Sequence, residues 1–180
     1  MIYSKHYLSI ITILGFIFMS CSSESKDSDD NSTGNGNITL SGEETSIFGS
    51  TLQVAKTQEG AYNTGTSKSI TLLHKSIDID EDGDITPSTA SFTESFIIVV
   101  AQFTDEDYAA AEKTISMIII KNGKEYRYTC TSKFGGGSDD FDCGENFDVN
   151  QTENEVIFKN TTVINADTNK TLTLNGTVSY

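Results

Sequence analysis

Asn122-Gly123, set between the β-rich runs 115–121 and 124–131, constrains the fold more than any other feature of the chain. Both residues tolerate positive φ, as a two-residue type I′ turn demands, so the pair predicts a tight antiparallel hairpin. In its second arm Tyr126, Tyr128 and Cys130 recur at alternate positions, which places them on one face of a strand.

The same pattern extends along the chain. Residues 46–56 carry Ile47, Phe48, Leu52 and Val54, and residues 68–78 carry Ile70, Leu72, Leu73 and Ile77. Residues 91–103 hold the run Ile97-Ile98-Val99-Val100. A continuous run of this kind suits a strand covered on both faces or one crossing a barrel wall. Residues 155–164 and 171–180 close the chain, with Leu172, Leu174, Val178 and Tyr180 on one parity. One helix is expected over 105–113. Thr104 can cap it, Asp107 takes the capping-box position, and Ala109, Ala110 and Ala111 favour helix. No internal repeat is present. The expected fold is all-β: a single antiparallel β-sandwich of about seven or eight strands with one short helix, a lipocalin-like barrel being the alternative.

Residues 1–20 have the layout of a bacterial secretory signal, with Lys5 near the start and an apolar stretch from Leu8 to Phe18. That stretch is shorter than the roughly 20 residues of a spanning helix. Phe18-Met19-Ser20-Cys21 resembles the lipobox of bacterial lipoproteins, in which the cysteine is lipidated and becomes the new N-terminus. The resemblance implies lipidation of Cys21 and a membrane anchor; the usual box has Leu at the position of Phe18 and a small residue at Met19. The following Ser22-Ser23-Glu24-Ser25-Lys26-Asp27-Ser28-Asp29-Asp30 resembles the surface-export segment of lipoproteins of the Bacteroidetes group. It implies an outer-membrane protein, lipid-anchored and facing outward. Residues 21–44 have almost nothing apolar to bury, so a disordered acidic tether is expected there, followed by a β-domain over 45–180. From the later cysteines to Tyr180 the chain looks like small β-domain lipoproteins of that group, a likeness that carries no activity with it.

The formal net charge is −14, from 12 Lys+Arg against 26 Asp+Glu. Phosphate binding needs clustered cations, so a nucleic-acid partner is not expected. Once Cys21 is set aside as the anchor, Cys130 and Cys143 remain, and an even pair in an exported protein reads as a disulfide. A redox or metal pair is the alternative, without CxxC spacing or a neighbouring His to favour it. Phe134, Phe141 and Phe147 flank this polar loop, either pinning it to the core or forming a binding patch.

Residues 78–86 contain the sharpest chemical motif. Asp78, Asp80 and Asp82 followed by Gly83 resemble the first half of an EF-hand calcium loop, with the carbonyl of Asp84 at position seven and Thr86 at position nine. Position twelve, a bidentate Glu in that motif, is Thr89. A calcium site at Asp78, Asp80, Asp82, Asp84 and Thr86 would therefore need a remote acid, with Asp139, Asp140 and Asp142 as candidates. The competing reading is a solvated acidic hairpin tip.

His74 is the one histidine beyond the signal, and no GxSxG, HExxH, Walker or dinucleotide motif occurs. No catalytic residue is assigned and no enzyme is expected. Three classes compete: a surface binding or adhesion module with an extracellular ligand or surface protein as partner, a carrier of an apolar ligand, and a hydrolase using Asp80 or Asp82 with Asp140. The first is favoured, because it needs no catalytic set. A calcium-dependent glycan-binding version is weakened by the absence of Trp.

Overall fold

The computed structural model describes residues 36–60, 67–104, 111–133, 142–143 and 147–180. The chain opens with β1 (Gly36–Ser41), a short helix α1 (Thr45–Phe48), β2 (Thr51–Val54), β3 (Lys56–Glu59) and β4 (Lys68–Leu73). A small hairpin follows, β5 (Ile77–Ile79) and β6 (Ile85–Pro87), and then a 3-10 turn, Thr89–Phe92. β7 (Glu94–Gln102), β8 (Lys113–Lys121), β9 (Lys124–Ser132), β10 (Phe147–Asn150), β11 (Glu155–Asn165) and β12 (Thr171–Ser179) complete it.

All pairings are antiparallel, and the main sheet runs β2-β1-β12-β11-β9-β8-β7-β4-β3, with β10 beside β11. Its two ends are consecutive in the chain. Ala55 alone separates β2 from β3, and both Ala55 and Lys56 lie opposite Leu73: the Ala55 N–H donates to the Leu73 carbonyl at 3.0 Å and Lys56 pairs with the same residue. Two residues against one is a β-bulge, which bends a strand and sharpens its twist. Leu52 and Val54 are buried in the core on one side of the bulge, whereas beyond it the buried residue is Thr57. The parity switch lets one bent segment pair with β1 on one side and β4 on the other, so the sheet nearly closes on itself as a barrel. The fold is thus all-β and antiparallel as the sequence predicts. A continuous, barrel-like sheet takes the place of the two stacked sheets of a sandwich.

Chain order explains the closure. With β2–β3 counted as one bent stave and β10 left aside, each of the eight staves pairs with the next and β12 returns to β1. Such a meander leaves few unpaired edges. The β8–β9 turn is the expected hairpin, with φ of 54° at Asn122 and 74° at Gly123.

Alternation fills the interior. Along β7, Phe96, Ile98 and Val100 are buried while Ile97 and Val99 are half-buried. Ile115, Met117 and Ile119 of β8 and Ile70 and Leu72 of β4 join them in one apolar cluster. Each such side chain contributes about 1.5–3 kcal/mol by leaving water.

Two expectations are corrected, and a third is corrected at its C-terminal end. Residues 36–44, assigned to the tether, are part of the fold, since Ile38 (0% exposed) and Leu40 (3%) of β1 lie in the core and β1 pairs with both β2 and β12. The strand expected over 46–56 begins as α1, because Phe48 turns in to cover the barrel end against Tyr126 and Tyr128, at centroid distances of 4.9 and 6.1 Å. Residues 105–110 of the expected helix lie outside the described residues, and its last residue, Lys113, opens β8; already at Glu112 the backbone bonds to Phe103 and Ser132 as a sheet does.

Candidate functional site

The strands β4, β7 and β8 end or begin together at one mouth of the barrel. His74, Glu94 and Lys121 lie two residues from the core residues Leu72, Phe96 and Ile119, one pleat further toward solvent on the same parity. Glu94 and Lys121 are direct cross-strand partners and form an ion pair. The His74 ring meets Phe96 edge-on at 5.5 Å. Phe48, brought in by α1, and Leu52 of β2 complete a cleft of about 270 Å³ whose floor is apolar and whose rim carries His74, Lys75, Glu94 and Lys121. Phe96 and Ile119 are each 3% exposed, so the cleft stops at the first core layer.

Ser76 holds the His74 ring at the mouth. The amide of Ser76 donates to His74 Nδ1 at 3.3 Å and the Ser76 hydroxyl sits 2.8 Å from the same nitrogen. The Ser76 hydroxyl also donates to the Glu94 carbonyl at 3.3 Å, which ties the His74 turn to the start of β7. Burial, followed by the charge of Lys75, holds the His74 pKa below its ordinary value. The bond from Lys121 holds Glu94 below the usual carboxylate range. Ser76 and His74 stand at nucleophile–base distance, and the Ser76 amide and hydroxyl both lie against Nδ1. Among the described residues no carboxylate bonds the ring to orient it. With the Ile77 amide donating to the His74 carbonyl at 3.0 Å, the arrangement clasps the turn between β4 and β5.

Directly beneath the cap lies a second polar group. Glu44 is 3% exposed and accepts a hydrogen bond from the Tyr128 hydroxyl, itself in the core. Burial, and then the bond to Glu44, raises the Tyr128 pKa. The Tyr128–Glu44 bond anchors the cap to β9.

The acidic motif folds otherwise than a calcium loop. Asp78 pairs with Thr86 and Ile79 with Ile85 across the β5–β6 hairpin. The Asp80 carboxylate accepts the amides of Asp82 at 3.1 Å and Asp84 at 2.8 Å, closing the turn from within, and Gly83 supplies the positive φ of 82°. Asp78 is bound by Lys56, whose ammonium also donates to the Ile77 carbonyl at 3.1 Å, and Gln58 Nε2 donates to the Gly83 carbonyl. Asp82 and Asp84 are exposed. Among the described residues no three Asp, Glu, His or Cys side chains converge as a metal shell. Asp78 is engaged by an ammonium and Asp80 Oδ1 by two backbone amides of the turn. The hairpin is instead a strap tied to the barrel through Lys56 and Gln58.

Cys130 and Cys143 are at disulfide distance, 2.10 Å between sulfurs and 4.9 Å between Cα atoms. β9 pairs with β11 only through Tyr128 and Thr129, and β10 takes over the edge of β11 beyond that point. The link staples the sheet where it parts. Phe147 is fully buried against Phe158, which makes it a core residue. Asp142 Oδ1 accepts from the Ser132 hydroxyl at 2.5 Å. Cys21, Phe134, Asp139, Asp140 and Phe141 lie outside the described residues.

Sequence reasoning named His74 but missed Glu94, Lys121 and Lys75 as its neighbours. Their meeting depends on the β7–β8 register and on where β4 ends, and no spacing motif encodes that. Compared with protein-family models, with curated proteins and with solved structures, the chain matches none.

Proposed function

We propose that this chain is a lipid-anchored protein of the outer membrane, displayed on the cell surface, and that it works as a binding module and not as an enzyme. Cys21 carries the anchor and the barrel mouth is the recognition site. The observation that carries the reading is the contrast between a barrel interior occupied by side chains and a mouth with an apolar floor and a charged rim. A carrier of an apolar ligand would enclose its cargo between the walls, where Ile98, Met117 and Leu172 stand, each with 0% exposure. A few polar groups around an apolar floor are the usual composition of a small-molecule site.

The location is tested on intact cells. Metabolic labelling with a fatty acid marks the wild-type protein, and Cys21→Ala abolishes the label. Added protease removes the domain from intact cells. A domain that resists protease on intact cells and is cut only after lysis refutes surface display; unlabelled wild-type protein refutes the anchor.

A further inference from the structure

We propose that the barrel mouth binds a small organic anion, a carboxylate borne on an aromatic or branched apolar body. This rests on the reading of the mouth as a binding site and names the chemistry of its ligand.

The argument starts from the rim. Its acceptor, Glu94, is engaged by Lys121. Lys75 lines the same cleft, is exposed, and has no ion-pair partner among the described residues. His74 lines the cleft beside it, its Nδ1 side held by Ser76. The rim thus has two ammonium groups and one imidazole against a single carboxylate already paired. On a chain of net charge −14 this is a locally cationic spot, and its complement is an anion. The anion must also cover apolar surface, because Phe48, Leu52, Phe96 and Ile119 form the floor. A fully hydrated ion such as inorganic phosphate would leave those side chains uncovered. The volume of about 270 Å³ limits the ligand to a small molecule. A carboxylate suits the chemistry of the rim: its charge answers Lys75, and its oxygens accept from the donors of the rim.

The test is an NMR titration of the purified protein with phenylacetate and, separately, with its neutral counterpart 2-phenylethanol. Phenylacetate shifts the amides around His74, Phe96 and Ile119 with saturation in the millimolar range. Lys75→Gln, at an exposed position, weakens phenylacetate about fivefold, the size expected of a half-exposed ion pair, and leaves 2-phenylethanol unchanged. If both compounds bind equally and Lys75→Gln affects neither, the mouth is a binding site but the anion assignment is wrong. If neither compound perturbs these residues, the proposal falls together with the reading of the mouth as a binding site.

Discussion

The Tyr128 hydroxyl donates to the Glu44 carboxylate across 84 residues of sequence, inside the closed end of the barrel. Glu44 belongs to the segment that carries α1, and Tyr128 to β9, so this bond fixes the cap that shapes the mouth. Tyr128→Phe leaves a buried carboxylate without its donor, and a loss of about 1–3 kcal/mol is expected in urea denaturation at neutral pH. The pH dependence follows from the raised Tyr128 pKa. Folding favours the protonated phenol, so its contribution is complete below the unfolded value of about 10 and is lost as pH rises through the higher folded value. Wild-type stability therefore falls above about pH 10, and Tyr128→Phe shows a flatter alkaline limb. Equal stability of the two proteins at neutral pH contradicts the role given to this bond.

Cys130 and Cys143 close a loop with a sequence separation of 13 at the point where β9 leaves β11. For a loop of this length the chain-entropy estimate is about 3 kcal/mol. Reductant is expected to lower the melting temperature by that equivalent, and the double variant Cys130→Ala/Cys143→Ala to reproduce the loss. Two titratable thiols in unreduced, folded protein contradict the link.

Asp80 acts as an acceptor for two backbone amides of its own turn. Calcium at millimolar concentration is accordingly expected to leave the melting temperature where chelator leaves it. Asp80→Asn, which keeps an acceptor oxygen, costs little. Asp80→Ala frees both amides and costs about 1 kcal/mol, as loss of a capping acceptor does. A calcium-dependent rise in melting temperature abolished by Asp80→Asn reverses this assignment.

The local grammar of the fold was legible in the sequence. The Asn122-Gly123 turn, the alternation of Tyr126, Tyr128 and Cys130, and the strands near 155–164 and 171–180 stand as read. Closure stood only as the alternative to a sandwich, because it depends on Ala55, an unremarkable residue whose bulge becomes visible only when both its neighbours in the sheet are known. β1 was hidden for a related reason. Ile38 and Leu40 are just two apolar residues in a polar stretch, and they are buried because β2 and β12 flank them. The partners of the acidic motif were hidden too. Carboxylates at alternate positions suit a metal, and the pattern does not reveal that Asp80 Oδ1 accepts two amides of its own turn or that the distant Lys56 takes Asp78.

The central claim is that recognition occurs at the mouth of a filled barrel. Native mass spectrometry of the protein purified from its own membrane tests it most directly. The account predicts that the folded protein, corrected for its anchor, flies at the mass of the polypeptide with no retained apolar molecule. An apolar adduct held by the folded protein and released only on unfolding would show that the barrel opens to enclose cargo, and would contradict the account.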